Sequence, residues 1–303
     1  MNHYSSVHGD KLHALLRNRK LPETDRLMVE DAITRYEAWL AAMHAVAGTP
    51  EERAITLVAL LNEYKLFLDL ELIFDSEEDF LYRQKGQLKL DNTVIEEFLP
   101  VFLTTVLAEY FAPHNLSFGP VTCFSSIYFA SSISMAMPGG GLSIRQKDHD
   151  FVIGRPLFIR ASHDAGFDEA VTAETHLAYV AVECKTNLDK TMFQEAAATA
   201  LDLKTGVPAA KYYLLCEWLD MTPISSSTTA IDEILVLRKA RRLPSHVRSD
   251  FSTSSSRRAG RHDYEAFLRA NPFAVDVFLR FASHIRDLVR DDVEPDILDR
   301  GHF

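Results

Sequence analysis

The sequence contains few cysteines and no long apolar run. Its three cysteines, Cys123, Cys184 and Cys216, are an odd set without CxxC spacing, which argues against a disulfide framework and against a structural zinc site. No apolar stretch approaches the roughly 20 residues that cross a bilayer. The first residues also lack the apolar core of a signal peptide. We therefore expect a soluble, cytoplasmic protein without a membrane anchor.

Positive charge is scarce as well, because 32 Lys and Arg residues stand against 43 Asp and Glu residues and give a net charge of −11. One serine- and arginine-rich segment, residues 238–262, departs from this balance, with seven arginines and one lysine against a single acid. Such segregation is typical of a phosphate-binding face on an otherwise acidic protein. A solvated, flexible loop is the alternative interpretation of the same composition.

The first ninety residues have the pattern of helices. An amphipathic run follows Thr24, and Thr49-Pro50-Glu51-Glu52 is a capping box with proline in the first turn of the next helix. No residue there suggests chemistry, so we predict a helical N-terminal subdomain over residues 1–90. Thr93 is predicted to open a further helix, with a kink at Pro100.

The remainder, residues 91–303, alternates between strand-like and helical patterns. Apolar runs predict strands within residues 116–144, 148–154, 176–185, 211–221 and 230–240. A helix predicted from about residue 187 to Gly206 separates two of these strands. This order predicts an α/β fold with a mixed β-sheet core flanked by helices.

The most informative motif is Glu183-Cys184-Lys185, at the end of an apolar strand pattern. Side chains alternate along a strand, so Glu183 and Lys185 project from the same face. Upstream, Asp150 heads a second short apolar run. The two acids together could hold Mg²⁺, which prefers carboxylate and water oxygens. A surface salt bridge is the alternative, since Glu-x-Lys is common by chance, although charged residues seldom end an apolar strand without a partner or a function.

These residues resemble the PD-(D/E)XK nuclease superfamily, and most of all its type II restriction endonucleases, including the kind that cuts asymmetric sites with two different subunits. The resemblance implies that Asp150 and Glu183 bind the metal and that Lys185 is the catalytic lysine. The sequence departs from the family pattern at His149, where the family often has proline. The gap between the two acids is also long and must contain a hairpin or loop. Two other acids, Asp148 and Asp164, therefore stay alternatives to Asp150 as the first metal-binding acid.

The resemblance also implies the function. We expect a Mg²⁺-dependent, sequence-specific endonuclease that hydrolyses double-stranded DNA as a homodimer or as a heterodimer with a sister subunit. An acid from the preceding helix often joins the metal site in the superfamily, which points to Glu96 or Glu97. Glu96 is the residue that we predict, although Thr93-x-x-Glu96 is itself a capping box.

Other assignments stay open at this point. Basic residues of the 238–262 segment are candidates for DNA contact: Arg238, Arg241, Arg242, Arg257 and Arg258. The alternative functions are a DNA-binding or assembly protein that retains the nuclease fold, and another DNA nuclease such as a junction resolvase. A transition-metal site is a further alternative, built from His149, His163, His176 and Asp164, but their spacing fits no compact ligand motif.

Overall fold

The computed structural model describes residues 6–112 and 114–290. Helices form the N-terminal part, as predicted, and α3 continues as a π-helical stretch over Phe67–Phe74. The helices here are α1 (Val7–Leu16), α2 (Glu23–His44), α3 (Pro50–Leu66), α4 (Phe80–Leu88), α5 (Thr93–Val106) and the short α6 (Ala108–Phe111). No helix in the described part of the chain is long and apolar enough to cross a membrane.

Five strands, four further α-helices and two short 3-10 helices, Pro138–Gly141 and Ser226–Thr228, complete the described chain. The strands are β1 (Ser117–Phe129), β2 (Leu142–Ala161), β3 (Val171–Leu188), β4 (Lys211–Leu219) and β5 (Glu233–Arg241). The helices are α7 (Lys190–Gly206), α8 (Ser245–Asp250), α9 (Ser254–Ala270) and α10 (Val275–Arg290). The spatial order of the sheet is β1-β2-β3-β4-β5, antiparallel among the first three strands and parallel from β3 to β5. The predicted mixed sheet flanked by helices is confirmed.

The predicted helix caps have mixed outcomes. The capping box at Thr49 is confirmed, since its hydroxyl accepts a hydrogen bond from Glu52 N–H and the Glu52 carboxylate accepts one from Thr49 N–H. The second capping box, Thr93 with Glu96, is wrong. Thr93 begins α5 but donates its hydroxyl hydrogen bond backwards to the Lys89 carbonyl at 2.8 Å, which leaves Glu96 available for other contacts.

Alternation along the strands divides the sheet between two cores. Phe151 and Val182 face the N-terminal helices, α5 and α10, whereas Val152 and Ala181 face α7. Because the first core contains both N-terminal helices and sheet residues, these helices are packed directly on the sheet. The division at residue 90 remains a prediction. All three cysteines are buried and free, in agreement with a structural role.

The basic segment does not form the flexible loop that its composition allows. Thr253 caps α9, and Arg257 within that helix is 1% exposed. Its guanidinium donates to the carbonyl oxygens of Phe74, Ser76 and Glu78 at 2.8 to 3.0 Å. The predicted role of Arg257 in DNA contact is therefore wrong, because its donors are bonded to the turn that precedes α4.

Arg238 is also internal. It is 6% exposed, donates to Glu217 at 3.2 Å and to the Asn271 carbonyl at 2.8 Å, and lies over the ring of Phe273. Glu217 in turn lies 2.8 Å from the buried ammonium of Lys65. The predicted DNA contact of Arg238 is wrong as well, since its charge compensates a buried acid.

The N-terminal helices meet α5 at a buried polar contact centred on His8. Its ring nitrogens lie 2.9 Å from the Tyr64 hydroxyl and 3.1 Å from the Thr93 hydroxyl. Its backbone N–H donates to Glu97, which also accepts from the Tyr36 hydroxyl. Burial, with a smaller effect of the Lys65 charge, lowers the pKa of His8 to about 3. The folded protein therefore holds this imidazole neutral.

Removing Arg257 should destabilise the fold without altering a DNA contact. Arg257→Ala removes a buried guanidinium that donates to the carbonyl oxygens of Phe74 and Ser76 and pairs with Asp79, so we expect the free energy of unfolding to fall by about 3 kcal/mol or more. Urea denaturation followed by circular dichroism measures this difference. The exposed neighbour Arg258 provides the control, and equal stabilities of Arg257→Ala and Arg258→Ala would contradict the structural role.

Lowering the pH should reduce the free energy of unfolding because it favours protonation of His8 in the unfolded chain. Since its pKa is depressed in the folded state, the contribution of His8 to stability is complete above the ordinary histidine pKa of 6.5 and declines as the pH falls towards about 3. Between about pH 7 and about pH 5 the loss amounts to about 2 kcal/mol. His8→Gln should flatten this part of the curve of unfolding free energy against pH, whereas the exposed His13→Gln on the same helix should keep it. An unchanged pH slope in His8→Gln would disprove the assignment.

Candidate active site

Three of the predicted site residues come together on the α7 side of the sheet. Asp150 has the same strand parity as Val152, and Glu183 and Lys185 have the parity of Ala181, so all three face away from the N-terminal core. They line one cavity of about 780 Å³. Asp150 and Glu183 are 33 residues apart in the sequence (183 − 150) and converge because β2 and β3 form a long antiparallel hairpin, in register from Phe151 opposite Val182 outwards.

Glu183 and Lys185 form a half-buried pair. Nζ of Lys185 lies 2.6 Å from Oε1 of Glu183, and Oε2 of Glu183 accepts a hydrogen bond from the hydroxyl of the buried Tyr212 on β4. Tyr212 was missed from the sequence, where it belongs to an apolar strand pattern. Burial lowers the pKa of Lys185, but its hydrogen bond and the charge of Glu183 outweigh burial, so the pKa lies above its ordinary value.

Asp150 is held by the neighbouring strand. Its Oδ2 accepts a hydrogen bond from the Cys184 N–H at 2.9 Å, which places the carboxyl group beside the Glu183-Cys184-Lys185 motif. Burial raises the pKa of Asp150, while this hydrogen bond and the charge of Lys89 act in the opposite direction and the charge of Glu183 adds to the increase. The net result is a pKa above the ordinary value.

The two alternatives to Asp150 occupy different positions. Asp148 lines the cavity but is exposed, and its carboxylate accepts from the Thr122 hydroxyl at 2.5 Å. Asp164 is exposed in the loop between β2 and β3, where it accepts from Asp168 N–H, and it does not line the cavity. Of the three acids, Asp150 is the one bonded to the Glu183-Cys184-Lys185 strand.

Glu96 and Glu97 point in different directions from α5. Glu97 is bound to Tyr36 and to the backbone of His8, on the side of the N-terminal helices. Glu96 is buried and accepts a hydrogen bond from the Asn92 side-chain amide at 2.9 Å. The negative charge of Asp150 also acts on it. Burial, followed by that charge, raises the pKa of Glu96 to about 7. Of the two acids, Glu96 is therefore the one that is electrostatically coupled to the site.

The donor set fits a hard cation that takes few protein ligands. Within residues 6–112 and 114–290, no three His, Cys, Asp or Glu side chains lie close enough together to hold a metal ion. This finding gives no support to the transition-metal alternative, and Glu96 does not complete a three-ligand cluster with Asp150 and Glu183. Mg²⁺ is usually held by one or two carboxylates, with water and phosphate oxygens completing its shell. The pair Asp150 and Glu183 fits that requirement, and a metal role for Glu96 stays a prediction.

His149, which stands where the superfamily often has proline, is buried and directs its ring edge towards Tyr212. Burial, followed by the charge of Lys147, lowers the pKa of His149 to about 4. The neutral ring thus packs against the ring of Tyr212, which donates to Glu183.

The remaining predicted arginines lie nearer the surface. Arg242 lines the cavity and pairs with Asp220 at 3.2 Å, whereas Arg241 and Arg258 are exposed on β5 and α9. Their contact with DNA stays a prediction. Sequence reasoning missed several basic side chains of the cavity wall: Arg83, Lys85, Lys89 and Lys147. The available signal was the i,i+4 spacing of Lys85 and Lys89, which predicts one side of a helix, although Lys89 lies just after the end of α4.

Comparison with known proteins agrees with this architecture. The model of the Bpu10I restriction endonuclease family matches residues 87–303. The fold is similar to that of a chain in the native BbvCI A2B2 tetramer, with a TM-score of 0.58 and 18% sequence identity over 96% of this chain and 99% of that chain. No curated protein sequence matches. The family match covers more than two thirds of the sequence and includes Asp150, Glu183 and Lys185.

The structural likeness, at this low identity, establishes the fold, and the family match establishes the class of enzyme. The predicted type II restriction endonuclease is confirmed, and this chain belongs to the Bpu10I restriction endonuclease family.

Proposed function

We propose that this restriction endonuclease hydrolyses phosphodiester bonds of double-stranded DNA at the cavity between β2, β3 and α7, with Mg²⁺ as its cofactor and at a specific sequence. The observation that carries the proposal is the convergence of Asp150, Glu183 and Lys185 on one cavity. Each side chain is fixed by a named contact, and the three supply acidic ligands beside a cation. Neither alternative, a binding-only protein or a junction resolvase, accounts as well for an intact set of these residues within a restriction endonuclease family.

Asp150 and Glu183 are the residues that would hold Mg²⁺. The Cys184 N–H donates to Oδ2 of Asp150, and the Tyr212 hydroxyl donates to Oε2 of Glu183, so that each carboxylate is held in one orientation. Within the described chain, Oδ1 of Asp150 accepts no hydrogen bond. When bound, the metal would supply a Lewis acid that polarises the phosphoryl group and stabilises the leaving oxygen. The protein's contribution is to hold both carboxylates in place before the substrate arrives.

Lys185 has the position of a group that orients the attacking water and neutralises charge on the phosphoryl oxygens. Its ammonium lies 2.6 Å from Glu183, half buried in the cavity wall, where the reduced dielectric strengthens interactions with an anion. A phosphate entering the cavity meets this cation directly. The same interaction strengthens as negative charge accumulates in the transition state, which is the condition for catalysis.

One such cavity cuts one strand, so a double-strand break needs a second active site. The BbvCI structure, whose chain this fold resembles, is an A2B2 tetramer. We therefore extend the proposal to quaternary structure: the chain acts together with a sister subunit of similar fold, and each of the two subunit types cuts one strand.

Loss of Lys185 should abolish cleavage. Supercoiled plasmid incubated with Mg²⁺ should be nicked by the wild-type chain, whereas Lys185→Ala and Asp150→Asn should be slower by about 100-fold or more. EDTA should stop the reaction in every case. Lys20→Ala, which removes an exposed lysine outside the cavity, is the matched control and should cut at the wild-type rate. Cleavage by Lys185→Ala at the control rate would rule out the assigned site.

Addition of the sister subunit should change the DNA product from nicked circles to linear molecules. The chain purified alone should convert supercoiled plasmid to nicked circles, whereas co-expression with its partner subunit should yield linear DNA. Lys185→Ala in the complete assembly should return the product to circles nicked in one defined strand, because the partner's site remains intact. Linear product from the isolated chain, with twice its 34.2 kDa mass by light scattering, would instead establish a homodimer.

A further inference from the structure

One wall of the cavity is basic and is formed by α4, in the part of the chain that the sequence suggested was without chemistry. Arg83, Lys85 and Lys89 lie on this wall, and α7 across the cavity presents Glu195 and Asp202. The cavity lining therefore includes cations from α4 and the residue that follows it, and carboxylates from α7.

The helix that carries the basic wall is packed against the rest of the protein. Leu81 is fully buried, and the ring of Tyr82 packs against Phe74 of the π-helical stretch, so the apolar side of α4 is anchored. The turn between Phe74 and α4 is held by the buried guanidinium of Arg257. Helix α4 ends at Leu88, and the next residue, Lys89, adopts a left-handed backbone conformation with φ of 54°. These contacts fix the wall relative to the sheet.

Two lysines of the wall have no acidic partner. Among the described residues, neither Lys85 nor Lys89 has a carboxylate within 4.0 Å, although Arg83 pairs with Asp79 at 3.1 Å. Lys85 is a partly buried residue, and its ammonium lies 4.6 Å from the centre of the Tyr82 ring. Burial is the largest effect and holds the pKa of Lys85 below its ordinary value, although the charges of Asp91 and Asp69 act in the opposite direction. A cation that is partly desolvated and unpaired gains most from an anion that enters the cavity.

Lys89 is exposed at the cavity rim, and its charge reaches both Asp150 and Glu96. It lies on the α4 side of the site, whereas Lys185 lies on β3 beside Glu183. A phosphate held by Lys89 would thus lie in the same cavity as the carboxylates that are proposed to bind metal.

We propose that Lys85 and Lys89 form a phosphate-binding wall that holds the backbone of the DNA strand being cut, one or two nucleotides from the bond that is hydrolysed. The inference rests on the proposed function and names the substrate contact of that site. The wall carries no base-reading information, because ammonium groups contact phosphate as point charges. Most of α4 precedes residue 87, where the family match begins, so Lys85 is outside the matched region.

The test is a binding titration that needs no cleavage. A fluorescein-labelled, mixed-sequence duplex of about 30 base pairs is titrated with protein in Ca²⁺ instead of Mg²⁺, and anisotropy is followed at several KCl concentrations. Lys85→Gln/Lys89→Gln should raise the Kd about tenfold and reduce the slope of log Kd against log salt by about 1 to 2, as expected for two lost phosphate contacts. The control Arg19→Gln/Lys20→Gln removes the same charge from the α1–α2 loop and should leave both quantities near wild type.

An unchanged Kd and salt slope in the Lys85→Gln/Lys89→Gln variant would overturn the proposal, as would an equal effect of the control. The single variant Lys89→Asn covers the case in which the double variant does not fold, because Lys89 is exposed and asparagine tolerates the left-handed conformation. It should reduce the salt slope by about 1. The result is independent of the nicking assay: absence of Mg²⁺-dependent cleavage would contradict the endonuclease proposal, whereas normal binding by the wall variants would contradict this one.

Discussion

The hydrogen bond from Cys184 N–H to Asp150 fixes the geometry on which the site depends. The ladder between β2 and β3 stops at Phe151 and Val182, and beyond that point a buried backbone N–H needs another acceptor. The Asp150 carboxylate supplies it. The strands can therefore separate without leaving an unpaired donor, and their separation opens the cavity. The same bond brings the acid of one strand beside Glu183 of the next, so that a single contact both ends the sheet pairing and assembles the carboxylate pair.

That arrangement concentrates negative charge. Burial raises the pKa values of Glu96 and Asp150, and a neighbouring carboxylate adds to each increase, since Asp150 acts on Glu96 and Glu183 acts on Asp150. The ammonium of Lys185 lies 2.6 Å from Glu183, and the charge of Lys89 acts in the opposite direction on both pKa values. Such a site is pre-organised for a cation, because the repulsion among its acids is relieved when positive charge binds.

The sequence was most informative where a short pattern determines local geometry. The period of two along β3 was sufficient to place Glu183 and Lys185 on one face, and the capping box was sufficient to locate the start of α3. Sequence reasoning failed where burial depends on distant residues. Arg238 and Arg257 resemble exposed DNA contacts by composition, yet Glu217 and the Phe74 carbonyl, 21 and 183 residues away, take up their donors. The basic wall of α4 was missed for the same reason, since its role depends on what lies opposite it.

The placement of charge explains how an acidic protein can bind DNA. With a net charge of −11 the surface as a whole repels a phosphate backbone, but at physiological salt this repulsion is screened beyond about 8 Å. Inside the cavity, phosphates would be closer than that to Lys85, Lys89 and Lys185, and the low dielectric of the walls reduces screening there. If DNA binds at the proposed site, the acidic exterior disfavours binding elsewhere, and adding basic residues elsewhere would weaken that discrimination.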